Sequence, residues 1–194
     1  MAPRHLLMMT LINILWGFNF IATKWITLEF PPAFGAAFRF LIVFILLLPF
    51  LKIVKNKMKP LLITATTLST LHFGIMFLAI SFTEEMSVIV IGSLINVPLA
   101  TLLAVLFLNE KLGWKRITGL LLAFGGIGIL TFDPRAFSYL DGLSLVLLSA
   151  FFYAVGTIFM RKLRDVHPLT LQAWVGLIGF PSLLIISLLF ETSV

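Results

Sequence analysis

The sequence predicts an all-α polytopic membrane protein, and three observations lead to this fold class. Hydrophobic residues make up 60% of the 194 residues, more apolar surface than a soluble domain of this size can bury. These residues gather in seven segments of about 20 residues, the length that crosses a hydrocarbon core of roughly 30 Å. Charged residues are only 11% of the chain and lie mostly in the short linkers. The predicted membrane segments are residues 6–28, 33–51, 61–82, 86–108, 114–132, 142–160 and 169–190.

The first segment carries polar side chains on one face. At 100° per residue, Asn13, Trp16 and Lys24 share this face with Gly17 and Phe20, and Asn19 and Thr23 lie beside it. Such a face should turn toward other helices or toward water. Asn13 and Asn19 are predicted either to bind substrate or to hold helices together by hydrogen bonds. Trp16 either lines a cavity or fills space between helices.

Two cations lie inside the apolar zone, on either side of the break at Pro31 and Pro32. Lys24 is roughly 6 Å below the outer surface and Arg39 roughly 10 Å, at 1.5 Å per residue. Lys24 either extends to the interface or lines the outward half of a cavity. Arg39 either binds substrate or pairs with a backbone carbonyl. Two like charges this close need a shared anion or separate partners, and a substrate carboxylate is the predicted anion.

Polar residues also occur in the middle of the third and fourth segments. His72 follows a run of threonine and serine and is predicted to contact a neighbouring helix, with proton coupling as the alternative. Asn96 and Pro98 lie near the centre of the fourth segment. Pro98 removes one backbone hydrogen bond, so we expect a bend that frees a carbonyl toward a cavity.

The basic residues predict the orientation. The linkers on one side contain Arg4, the lysines of residues 52–59, Lys111, Lys115, Arg116, Arg161, Lys162 and Arg164, whereas the other side has only Arg135 and most of the acidic residues. Basic loops stay in the cytoplasm, so the N-terminus is predicted to be cytoplasmic, in the inner (plasma) membrane. Topology thus accounts for the net charge of +6, and no nucleic-acid partner is expected.

Several chemistries are excluded by missing residues. The chain has no cysteine, which rules out disulfides, thiol catalysis and cysteine-based metal sites. It has no HExxH motif, no GxSxG nucleophile elbow and no paired membrane aspartates. We therefore predict that the protein is not an enzyme and uses neither a metal nor a cofactor.

A weak internal repeat appears at an offset of 137 residues. It aligns Trp16 with Tyr153, Lys24 with Arg161 and Pro31 with Pro168. The first copy would hold five membrane segments, so the second copy would enter the membrane inverted. Inverted repeats are a design of secondary carriers, with substrate bound near the midplane. Tyr153 is therefore added to the predicted substrate site, whereas Arg161 lies at the cytoplasmic edge, where a cation is ordinary.

Four motifs resemble one transporter family. WGFNFIATK and FPPAFGAAFRF resemble the opening of EamA-type carriers of the drug/metabolite transporter superfamily. LATLLAVLFLNEKLGWKRITGLLLAFGGIGIL resembles the junction of the fourth and fifth helices, and FYAVGTIFMRK the start of the second repeat. The likeness is closest to the subgroup named for O-acetylserine and cysteine export.

The resemblance implies ten helices in two inverted five-helix repeats. Residues 1–135 would form the first EamA repeat and residues 139–194 the beginning of the second, which would lack its last three helices. It also implies a secondary transporter that exports small metabolites, amino acids or their derivatives, by alternating access. The alternative is a truncated, non-transporting membrane fragment or an assembly protein. Lipid and a small-molecule substrate are the expected partners, and the oligomeric state is left open.

Overall fold

The computed structural model describes residues 3–108, 110–131 and 140–191, and every regular element in these ranges is helical. The all-α membrane fold is therefore confirmed. The predicted boundary between the two repeats, at residues 135–139, lies outside the described residues. The long helices are α1 Pro3–Glu29, α2 Pro32–Leu47, α3 Met58–Ser81, α4 Met86–Leu108, α5 Trp114–Thr131, α6 Leu140–Met160 and α7 Pro168–Phe190.

Six of the described helices are long and apolar enough to cross a membrane. The exception is α5, which forms where a membrane segment was predicted but opens with Trp114, Lys115 and Arg116. Two cations in the first turn lower the mean hydropathy of a helix of 18 residues. The count of seven membrane spans therefore stays a prediction.

The tightest helix pair is α2 with α7. Gly176 and Gly179 of α7 face Phe44 and Phe40 of α2, and a Cβ on Gly176 would lie 2.9 Å from the backbone nitrogen of Phe44. Only residues without a side chain allow helices to approach this closely. The same face of α2 buries Ala36, Ala37 and Phe40 against Val175 and Leu183.

The predicted outer end of this pair is closed by a carboxylate. Pro31 and Pro32 end the turn after α1 as predicted, and α2 begins at Pro32. The backbone amides of Ala33 and Phe34 donate to the Glu191 carboxylate at 2.7 and 3.2 Å. An acidic group at a helix N-terminus satisfies free amides and the helix dipole, so Glu191 ties the start of α2 to the end of α7.

A second packed group joins α3, α4 and α6. Met76 and Ile80 of α3 pack with Ile89 of α4 and Val146 of α6. Within α3, residues Thr67–Phe73 form a π-helical segment, a geometry that is frequent at functional sites. Gly156 of α6 lies against this segment, since a Cβ there would meet the side chains of Thr67 and Leu68.

The helix α4 is broken in its middle. It consists of Met86–Ser93 and Asn96–Leu108, with Leu94 and Ile95 as the turn between them. Pro98 has no N–H to donate to the Leu94 carbonyl four residues earlier, which explains why the break falls just there. The predicted bend is thus present, one turn before Pro98 itself.

The first helix is loosely attached. From Arg4 to Phe18 every described side chain of α1 is exposed. Farther along the helix, Phe20 packs against the core formed by α3, α4 and α6, and Ile26 packs against the core formed by α2, α3 and α7.

Two ion pairs lie on the predicted cytoplasmic side. Lys57 pairs with Asp165, and Arg161 pairs with Glu110. The second pair links the end of α4 to the end of α6.

Candidate substrate cavity

A cavity of about 350 Å³ lies among α1, α2, α3, α4 and α6. Its volume falls in the range of small-molecule sites, roughly 300–1,000 Å³. Aromatic and aliphatic side chains form most of its wall, with a few polar groups among them. The described lining residues are Asn13, Trp16, Gly17, Asn19, Phe20, Thr23, Arg39, His72, Phe73, Met76, Phe77, Ile80, Val90, Ser93, Leu94, Asn96, Val97 and Tyr153.

The cavity brings together most of the residues that the sequence singled out as a substrate site. These are Asn13, Trp16, Asn19, Arg39, His72, Asn96 and Tyr153. Trp16 and Tyr153, which the internal repeat pairs, both face the same space. Lys24 and Pro98 are absent from the described lining. Lining the same cavity does not test whether these residues bind substrate, so the substrate site itself remains a proposal.

Arg39 is the cation of the cavity. Its guanidinium carbon Cζ lies 4.4 Å from the centre of the Phe73 ring, within the range of a cation–π contact. Within the described ranges, no carbonyl or carboxylate accepts a hydrogen bond from Arg39. The predicted alternative of a backbone-carbonyl partner is not seen there. Its fork of N–H donors, which matches a carboxylate in shape, is thus directed at no described protein acceptor.

Lys24 has a different environment from the one predicted for a cavity residue. Its Nζ donates to the carbonyl oxygens of Thr83 at 2.7 Å and Ile80 at 3.2 Å. Ile80 lies in the last turn of α3 and Thr83 two residues after the helix ends, where carbonyls lack the regular helical donor. A lysine at this position satisfies them and offsets the helix dipole. Lys24 therefore fastens α1 to the end of α3, with two carbonyl oxygens as its partners, and the shared anion stays a prediction.

His72 is fixed by Ser149 of α6. The Ser149 Oγ lies 2.7 Å from His72 Nδ1 and donates to the His72 carbonyl at 2.9 Å. The Ser149 carbonyl oxygen, which can only accept, lies 3.1 Å from the same Nδ1, so these contacts favour the tautomer with its hydrogen on Nδ1. The ring also packs on Phe73 and Tyr153, with centroids 4.8 and 5.1 Å apart. The predicted helix contact is present, and proton coupling is untested.

The asparagines differ in how far they are satisfied. Asn13 Nδ2 donates to the Met9 carbonyl at 2.8 Å within α1. The Oδ1 of Asn96 is buried and has no hydrogen-bond partner among the described residues. A buried acceptor without a donor is costly, and the Oγ1 of Thr64, outside the described lining of the cavity, is in the same state.

Phe73 and Ser149 were not predicted from the sequence. Phe73 follows His72 directly within the π-helical segment, and both residues line the cavity. Ser149 is 77 positions from His72 and lies in an otherwise apolar stretch, so no local pattern distinguishes it.

Comparisons with known proteins agree with the predicted family. The sequence profile of the EamA-like transporter family matches residues 4–132. An "uncharacterized transporter in sor 3'region" of Acidianus ambivalens is 35% identical over 147 residues, which cover 75% of this chain and 56% of the relative. No solved structure matches the chain at a significant level.

Two further relatives are named for efflux. A "probable amino-acid metabolite efflux pump" of Salmonella typhimurium is 29% identical over 93% of this chain and 62% of its own length. One of the same name from Escherichia coli is 27% identical over 94% of this chain and 63% of its own length. The chain thus spans about three fifths of the length of these relatives. Together with the profile match, they show that the chain is a multi-pass membrane protein of the EamA-like transporter family, which is a family of carriers and not of enzymes.

Proposed function

We propose that the chain is part of a secondary carrier of the plasma membrane that exports small metabolites, namely amino acids or their derivatives. The N-terminus lies in the cytoplasm in this proposal, as the loop charges predict. The observation that carries it is Arg39, a cation in an apolar cavity whose guanidinium has no described protein acceptor. The names of the two efflux relatives agree with this substrate class.

The substrate carboxylate binds Arg39. Charge-assisted, bidentate pairs between guanidinium and carboxylate are among the strongest hydrogen-bonded contacts in proteins. In an apolar cavity each such bond contributes roughly 1.5–3 kcal/mol. The Phe73 ring lies beside the guanidinium, with Cζ 4.4 Å from its centre, and Arg39 lines the cavity where the ligand would bind.

Alternating access makes use of two irregular helices that border the cavity. The π-helical segment of α3 and the break in α4 replace regular backbone bonds at the level of His72 and Leu94. Such positions absorb changes in backbone angle while the flanking helices move as rigid bodies. In carriers, broken helices near the midplane commonly accompany a substrate site.

The test compares transport of a carboxylic acid with that of its methyl ester. In proteoliposomes, Arg39→Gln should lower transport of amino acids and N-acetyl amino acids by roughly tenfold or more, since at least one charge-assisted bond is lost. Arg39→Lys should retain part of it, and Lys24→Gln should change it little. The methyl esters of the N-acetyl amino acids, which carry no charge, should be carried equally by the original chain and by Arg39→Gln.

Two results would reject this proposal. Equal loss of acid and ester transport in a folded Arg39→Gln variant would place the carboxylate site elsewhere. If the original chain carries no member of either panel, the alternative of a non-transporting membrane protein is favoured.

A further inference from the structure

The cavity holds one formal charge that no described neighbouring group balances. Among its described lining residues, Arg39 is the only Lys, Arg, Asp or Glu. The other lining groups are apolar, aromatic or neutral polar side chains. A cation in such surroundings attracts an anion far more strongly than it would in water.

The acidic side chains of the described ranges all lie elsewhere. Glu110 and Asp165 form ion pairs, and Glu191 accepts from the backbone at the start of α2. The exposed ones are Glu29, Glu84, Glu85 and Asp141. The eighth acidic residue of the sequence, Asp133, lies outside the described residues. The described wall therefore offers no carboxylate to an ammonium group.

Because the described wall has no carboxylate, zwitterionic and singly negative ligands should differ in how well they bind. A zwitterionic amino acid would bring its ammonium into a cavity that already holds Arg39, and a charge removed from water without a partner is costly. A ligand of net charge −1 neutralises Arg39 and leaves no charge over. Acids without an amine and acids whose amine is acylated both carry this net charge of −1, so Arg39 attracts both.

Asn96 adds a second observation. Asn96 lies in the same wall as Arg39, and its Oδ1, which has almost no accessible surface, has no donor among the described residues. An amide N–H or a hydroxyl of the ligand is a neutral donor that would satisfy this oxygen once the Asn96 side chain turns it toward the cavity. Trp16, Phe20 and Phe73 meanwhile provide aromatic surface for the rest of the ligand.

We propose that this cavity selects monocarboxylates with an apolar or aromatic body whose amine is absent or acylated, and that it discriminates against zwitterionic amino acids. This inference rests on the proposed carrier function and narrows its substrate class. It assigns the carboxylate to Arg39, the neutral donor to Asn96 and the apolar body to the aromatic wall.

The test is calorimetric titration of the chain in lipid nanodiscs with four probes. These are N-acetyl-L-phenylalanine, 3-phenylpropionate, L-phenylalanine and the uncharged N-acetyl-L-phenylalaninamide. The first two should bind at least roughly tenfold more tightly than phenylalanine, and the amide should bind as weakly as phenylalanine or more weakly. In Arg39→Gln the advantage of the two anions should disappear.

A gain-of-function variant makes the test sharper. Asn96→Asp adds a carboxylate to the cavity and should shift the ratio of affinities toward phenylalanine by roughly tenfold. Ser87→Asp adds the same charge at an exposed position of α4 outside the cavity and should leave the ratio unchanged. An unchanged ratio in a folded Asn96→Asp variant overturns the role given to Asn96 and the charge argument with it.

The outcomes separate this inference from the carrier proposal. If phenylalanine binds as tightly as its N-acetyl form and needs Arg39, the carrier proposal stands and the selectivity inference fails. The selectivity inference also fails if phenylalanine binds tightly and Asp133→Asn abolishes that binding, because Asp133 would then be the missing counter-charge. If no probe binds the original chain, both fail.

Discussion

Lys24, beside the end of α3, and Arg39, in the cavity, are two cations with opposite surroundings. Both residues belong to adjacent helices of the same hairpin and both are half-buried. Lys24 meets two carbonyl oxygens at 2.7 and 3.2 Å, whereas Arg39 meets an aromatic ring and no described acceptor. A cation whose acceptors are supplied by the fold stabilises the fold, and one without them is available to a ligand.

The largest effect that can test this contrast is on stability. Lys24→Met keeps the aliphatic stem but leaves the carbonyls of Ile80 and Thr83 without their charged donor, so we expect a loss of about 2 kcal/mol. Arg39→Met removes a cation whose burial is itself costly and should leave the free energy of unfolding unchanged or raise it. Denaturation in mixed micelles with sodium dodecyl sulfate measures both. Equal losses of unfolding free energy in the two variants would contradict this difference between Lys24 and Arg39.

A smaller effect on stability is expected at Thr83. It tests whether Lys24 binds the backbone carbonyl of Thr83 or depends on its side chain. The Thr83 hydroxyl donates to the Ala79 carbonyl at 3.0 Å, while Lys24 binds the Thr83 backbone carbonyl. Thr83→Val removes the hydroxyl and keeps the carbonyl, so it should cost less than about 1 kcal/mol. The double variant with Lys24→Met should be additive. Strong coupling in the same micelle assay would show that Lys24 depends on the side chain instead.

The smallest effect belongs to a cation with an exposed partner. The hydrogen bond from Lys57 lowers the pKa of the Asp165 carboxyl, so this pair stabilises the fold at any pH above the ordinary aspartate value of about 3.9. Its contribution should disappear as the pH falls through the lowered pKa. Thermal midpoints of the original chain and Asp165→Asn should differ slightly from pH 7 to 5 and converge below about pH 4. A difference that grows toward low pH contradicts the assignment.

The helix positions could be predicted from the sequence because hydropathy alone decides them. The six long apolar helices lie where segments were predicted, and α5 is helical as well, although its charged first turn leaves its place in the membrane open. The cavity face of α1 was also predictable, since Asn13, Trp16 and Asn19 share one side of a helix. The family followed from motifs that occur in the predicted order.

The partners of individual side chains could not be predicted in the same way. Periodicity gives the direction of a side chain around its helix, but not what lies opposite at that depth. Lys24 shares the polar face of α1 yet reaches the end of α3, which depends on the length of a neighbouring helix. The contact of His72 with Ser149 joins positions 77 apart, and the π-helical turn that contains Phe73 has no sequence signature.

The close approach of α2 and α7 has a consequence for synthesis. Phe44 and Gly176, whose backbones nearly touch, are separated by about 130 residues, which a ribosome adds in roughly 7–26 s at ~5–20 residues per second. During that interval the newly inserted α2 has neither its glycine-faced neighbour nor the Glu191 carboxylate at its start. The half-made chain must therefore cover the small-residue face of α2 by other contacts. Biogenesis of this protein thus depends on what accompanies α2 in the membrane before α7 arrives.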